Sequence, residues 1–119
     1  MLRRLFGGPA AATTIATITA PELKRRLDAG ERLFLLDVRS ANEYAYDGHI
    51  VGAHLLPLPM LSMRLNELPR DAPIICICRS GNRSGVAAEQ LARQGFSDVT
   101  NLTGGMVAWA RAGLPMKRG

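Results

Sequence analysis

Two cysteines, Cys76 and Cys78, close an apolar run, and the second opens the segment Cys78-Arg79-Ser80-Gly81-Asn82-Arg83-Ser84-Gly85. A cysteine is a nucleophile only as its thiolate, and a thiolate needs positive charge or N–H donors nearby. This segment offers both. Its small residues allow a tight loop with inward-turned backbone N–H groups, and Val86-Ala87-Ala88-Glu89-Gln90-Leu91 continues it as a helix whose positive end faces the loop. Arg79 and Arg83 add fixed charge at the rim. The chemistry implied is attack by Cys78 on a small anion. Cys76 lies on the same side of the strand but deeper, and core packing is its expected role. Neighbours on one strand are poorly placed for a disulfide, and two cysteines without a second pair make no zinc site.

Loop length narrows the chemistry. Four residues separate Cys78 from Arg83, and Ser84 stands where one residue more would put the arginine. Cysteine phosphatases of the related fold use that longer spacing, a wider cradle for a tetrahedral phosphate. The shorter loop is better matched to a sulfur anion attached to the cysteine. Its form, Cys-Arg-x-Gly-x-Arg followed by Ser, resembles the active loop of the rhodanese (sulfurtransferase) family. Two more stretches look like that family's signatures. One is Leu36-Asp37-Val38-Arg39 with Glu43-Tyr44, Gly48-His49-Ile50 and Gly52-Ala53. The other is Gly104-Gly105-Met106 with Ala108-Trp109 and Ala112-Gly113-Leu114-Pro115.

The resemblance covers about residues 17 to 116. It implies a three-layer α/β rhodanese-like fold, with a five-stranded, mainly parallel sheet flanked by helices. It also implies a reaction. Cys78 takes the outer sulfur of an anionic donor such as thiosulfate, becomes a persulfide, and passes the sulfur to a thiophilic acceptor. That acceptor would be cyanide, a thiol or a sulfur-acceptor protein. Carried onto this sequence, Cys78 is the nucleophile. The backbone N–H groups of Arg79, Ser80, Gly81, Asn82, Arg83 and Ser84 hold the sulfur anion, and Arg79 and Arg83 orient the donor. No metal or organic cofactor is implied. With no second domain of the tandem kind, the substrate pocket is expected to be built from this domain alone.

The elements that must position the loop are legible. Ile74 to Ile77 is a buried strand delivering Cys78, and Leu33 to Val38 is a second apolar run of strand length, suited to a parallel sheet covered on both faces. Short strands are expected at Ile15 to Ile18, after Gly52, and at Asp98 to Leu102. Thr19-Ala20-Pro21-Glu22 and Ser40-Ala41-Asn42-Glu43 have capping-box spacing and open helices. The first helix stops at Gly30. Pro59 to Leu68 carries a helical stripe at Leu61, Leu65 and Leu68, and a last helix turns Met106, Trp109 and Ala110 inward. Residues 1 to 14 read as a loosely held extension, and 15 to 119 as one domain. Alternating strands and helices give a three-layer α/β architecture, with the loop at a strand's C-terminal end where such sheets bind ligands.

Asp37, Arg39 and Glu43 are expected to tie the fold together near the site through ion pairs or hydrogen bonds. Ser80 and Ser84 are expected to shape the loop through hydroxyl bonds to nearby backbone. Nothing in the spacing brings His49 or His54 to Cys78, so structural roles are expected for both. The 119 residues carry a net charge of +5, which favours anionic partners. The basic residues are scattered and aromatics make up only 5%, so nucleic acid is not the expected partner. Nor is a membrane: no apolar run is long enough to span one, and the start has no signal-peptide core, so a cytoplasmic protein is expected. Beside the sulfurtransferase stand two alternatives: a persulfide carrier loaded by a partner protein, and a phosphatase or arsenate reductase on the same scaffold, which the loop spacing disfavours.

Overall fold

The computed structural model describes residues 14–119. The expectation of a loose extension over 1 to 14 therefore lies, but for Thr14, outside the described residues. The order of elements is β1 (Ala16–Ile18), α1 (Ala20–Asp28), β2 (Phe34–Asp37), α2 (Ala41–Tyr46) and β3 (His54–Leu55), then two 3-10 turns (Leu58–Met63 and Leu65–Glu67). β4 (Ile74–Ile77), α3 (Asn82–Arg93), β5 (Val99–Leu102) and α4 (Gly105–Arg111) complete it. The five strands form one sheet in the order β1-β5-β4-β2-β3, and every neighbouring pair is parallel. β4 lies at its centre.

Alternation along β4 explains why all four of its residues are buried. Cys76 and Cys78 face one layer with Leu36 and Val38, against Ala87, Ala88 and Leu91 of α3 and the connecting residues Leu56, Leu61 and Leu68. Ile75 and Ile77 face the other with Leu35 and Leu102, against Leu23 of α1 and Met106 and Trp109 of α4. A strand apolar on both sides belongs in the middle of a three-layer sandwich. Among the described residues, no helix is long and apolar enough to cross a membrane.

Three local expectations are corrected. The box expected at Thr19 is half formed. Thr19 Oγ1 accepts from Glu22 N at 3.3 Å, but the Glu22 carboxylate turns to Arg25 instead of back to the cap. The box at Ser40 is complete, with Glu43 N donating to Ser40 Oγ at 3.2 Å and Ser40 N to Glu43 Oε1 at 3.0 Å. The stripe from Pro59 to Leu68 winds as two 3-10 turns rather than an α-helix. The tighter winding still buries Leu61 and Leu68. Ala110 is exposed: the buried side of α4 runs through Gly105, Met106 and Trp109, with Ala108 packed partly against it.

Candidate active site

Cys78 leaves the end of β4 and enters a turn closed by Gly81, whose φ of +104° is left-handed and suits glycine. Gly81 caps α3, which begins at Asn82 rather than at Val86, so the second half of the expected loop is the helix's first turn. That turn aims unsatisfied N–H groups at the cysteine. Gly81 N donates to Cys78 Sγ at 3.1 Å, and the hydroxyl of Ser84 lies 3.2 Å from the same sulfur. Burial, which leaves Cys78 only 1% exposed, works against its charged form. The Ser84 hydroxyl and the backbone N–H groups of Ser84, Gly81 and Ser80 outweigh it and hold the thiol below its ordinary range. Cys76 has no such donors among the described residues. Burial, and then the neighbouring Cys78, push it up to about 12.

The loop is held from behind by the other glycine-rich stretch. Met106 N donates to Cys78 O at 2.9 Å and Val107 N to Arg79 O at 3.0 Å, so the start of α4 satisfies the loop's outward carbonyls. Gly105 makes this approach possible, since a Cβ there would lie 2.3 Å from Cys78 O. From β5, Asn101 Nδ2 donates to Gly81 O at 3.0 Å, and Asn101 Oδ1 lies 2.6 Å from Ser84 Oγ. Gly104-Gly105-Met106 was visible in the sequence as a signature without a task. Asn101 was missed. Its signal was a polar residue in a buried strand, and the register opposite Cys76 puts it on the face both cysteines use.

One expected role changes. Ser84 does not bond its hydroxyl to backbone; the hydroxyl faces Cys78 Sγ and Asn101, while Ser80 is exposed and contributes its N–H. Glu43, expected to make an ion pair near the site, makes it with Arg83, apart from Asp37 and Arg39. Its carboxylate makes two 2.8 Å bonds to the Arg83 guanidinium, which, with the Ser40 cap, bring its pKa down to about 2. Asp37 and Arg39 are a buried pair of their own, bonded at 2.7 and 2.9 Å, and Arg39 Nη2 also donates to Gly48 O at 2.9 Å. With Arg83 engaged, exposed Arg79 has no ion-pair partner among the described residues. It lines an open cavity of about 250 Å³ beside the loop, with Met106, Val107 and Arg111. Asn82 is exposed at the start of α3. The histidines stay away from the thiol: His49 stacks on Tyr44 and His54 bonds Glu67.

Comparison with known proteins shows the family and the fold. The model of the rhodanese-like domain family matches residues 19–112. A protein of Allochromatium vinosum named sulfurtransferase is 41% identical over 99 residues, covering 83% of this chain and 92% of that protein. YrkF of Bacillus subtilis, named as a candidate sulfur carrier, is 40% identical over 98 residues, 82% of this chain and 52% of its own length. Among solved structures, a rhodanese-like domain protein from Staphylococcus aureus superposes with a TM-score of 0.77 at 34% identity, over 87% of this chain and 99% of that one.

Proposed function

The chain belongs to the rhodanese-like domain family of sulfurtransferases, and from that membership we propose that it moves sulfane sulfur from an anionic donor such as thiosulfate through a persulfide on Cys78. In the loading step the Cys78 thiolate attacks the outer sulfur of thiosulfate. The new bond joins Sγ to that sulfur, the old sulfur–sulfur bond breaks, and sulfite leaves with its electron pair. In the second step an acceptor attacks the outer sulfur and Cys78 returns as thiolate. Cyanide leaves as thiocyanate, and a thiol RSH leaves as RSSH with its proton on the transferred sulfur. Both steps are exchanges at sulfur and need no outside oxidant.

The observation that carries this reading is the ring of donors around one sulfur at a strand's end. Gly81 N and the Ser84 hydroxyl approach Sγ at 3.1 and 3.2 Å. The backbone N–H groups of that ring would hold the terminal anion of a persulfide. Arg79, Ser80, Gly81, Asn82, Arg83 and Ser84 form the donor-binding rim in this reading. Arg79 is the unengaged charge that meets the donor, and Arg83 acts together with Glu43. The two free cysteines fit a cytoplasmic setting where thiols stay reduced, with a thiol or a sulfur-acceptor protein as partner. The kinship with YrkF favours one second reading, a carrier whose persulfide is loaded by another protein.

Thiocyanate formation from thiosulfate and cyanide, measured for the wild type and Cys78→Ser, tests the reaction. The wild type turns over and the variant falls to background. A wild type inert to thiosulfate yet able to accept one sulfur by mass on Cys78 marks the carrier. Turnover surviving in Cys78→Ser would overturn both.

A further inference from the structure

The Ser84 hydroxyl stands between two groups that each want its hydrogen. It lies 3.2 Å from Cys78 Sγ and 2.6 Å from Asn101 Oδ1. The Asn101 amide has one sensible orientation, because Nδ2 donates to Gly81 O at 3.0 Å and so turns Oδ1 toward Ser84. Gly85 leaves room for that amide: a Cβ there would press on Nδ2 at 3.3 Å. An amide oxygen carries no hydrogen, so a 2.6 Å contact between it and a hydroxyl oxygen is favourable only with the hydroxyl hydrogen between them. A thiolate carries none either. One hydrogen cannot serve both.

The two settings suit two states of the sulfur. With the hydrogen toward Asn101, Ser84 Oγ presents lone pairs to Sγ, which suits a thiol donating its S–H. With the hydrogen toward Sγ, the sulfur's negative charge is met, but the two oxygens are left face to face. Ser84 is fully buried and Asn101 half-buried, so the Ser84 oxygen has no bulk water to relieve that contact.

We propose that Ser84 and Asn101 form a hydroxyl rotor with Asn101 as its positioning residue: the hydrogen points to Asn101 Oδ1 while Cys78 Sγ is neutral and turns to Sγ when it becomes charged. This rests on Cys78 being the sulfur-carrying residue. When RSH takes the sulfur, the bond between Sγ and the outer sulfur breaks, its electron pair stays on Sγ, and the outer sulfur departs in RSSH. Charge then appears on Sγ, and the hydroxyl turns to it without giving up its proton. Loading reverses the motion, since Sγ in the persulfide is neutral again. Asn101 thereby competes with the thiolate for one donor. It holds back the resting nucleophile and favours the persulfide, in which Sγ is neutral and the charge sits on the outer sulfur.

The other charged and titratable groups around Sγ are Arg79 in the loop, Arg83 with Glu43 from α2, Asp37 with Arg39 from the end of β2, and Cys76 in β4. None of them is altered in the test. The thiolate's ultraviolet absorbance is followed against pH in four proteins: wild type, Asn101→Ala, Ser84→Ala and the double variant. Cys76, held up to about 12, does not interfere. With Ser84 present, Asn101→Ala frees the hydroxyl for the sulfur. Its effect on the thiolate-to-thiol ratio exceeds the effect of the same change made in the Ser84→Ala background by about three- to tenfold, the worth of one hydrogen bond.

Equal effects in the two backgrounds would overturn the rotor and leave Asn101 as a tether for Gly81 only. If Asn101→Ala does not fold, Asn101→Asp reads the same coupling with opposite sign, because a carboxylate holds the hydroxyl more firmly. The titration needs no sulfur donor. A protein inert with thiosulfate still gives this result, and an absent coupling leaves the sulfur-transfer reading intact.

Discussion

At the scale of single residues, two identical side chains two positions apart have opposite chemistry. Cys78 and Cys76 share a strand face and a hydrophobic layer, and both are almost fully buried. The difference is what their sulfurs can bond. Cys78 has passed the last strand residue and meets N–H groups of a helix start, whereas Cys76 sits within the strand in the apolar layer. With Cys78 below its ordinary range and Cys76 up at about 12, the thiolate at neutral pH belongs to Cys78. Iodoacetamide at neutral pH should therefore add one group per native chain, on Cys78, and a second only after denaturation. Peptide mass mapping checks it, and an adduct on Cys76 in the folded protein would contradict the assignment.

At the scale of elements, the Glu43–Arg83 pair joins the starts of α2 and α3 while the Ser40 cap anchors the same carboxylate. A carboxylate whose pKa is depressed on folding stabilises the fold above its unfolded value, and that contribution is lost as pH falls through the folded one. For Glu43 the window runs from 4.5 down to about 2. Both partners are partly exposed, so the pair is worth about 1 kcal/mol after screening, or about 4 °C in melting temperature. Glu43→Gln should melt lower than wild type by about that much at neutral pH, and the gap should close as pH drops through the window. A gap independent of pH would show that the charge contributes nothing. The same elements mark the limit of what the sequence disclosed. β4, the nucleophile and the capping spacings follow from short-range pattern. The partner of Glu43 lies 40 residues away, and neither residue's neighbours hint at it. Asn101 reaches the site only through the β4–β5 register, and α3 starts at Asn82 because Gly81 turns left-handed, a choice that a loop of Ser, Gly and Asn leaves open.

At the scale of the whole molecule, a net charge of +5 surrounds a site that leaves Arg79 unpaired among the described residues. Long-range attraction should raise the encounter rate with an anionic donor and be screened by salt. We expect kcat/KM for thiosulfate to fall by about threefold as ionic strength rises from low values to about 0.5 M, with little change for a neutral sulfane donor. Equal salt dependence for both donors would remove charge steering from the account. The clamp of α4 on the loop also has a consequence in time. Cys78 and the first turn of α3 leave the ribosome before Asn101, Gly105, Met106 and Val107 do. Until those residues arrive, the carbonyls of Cys78 and Arg79 lack the donors that hold them outward, and the turn has nothing to fix its N–H groups on the sulfur. The nascent chain thus carries an ordinary thiol. The enhanced reactivity of Cys78 comes only with the closing of the fold.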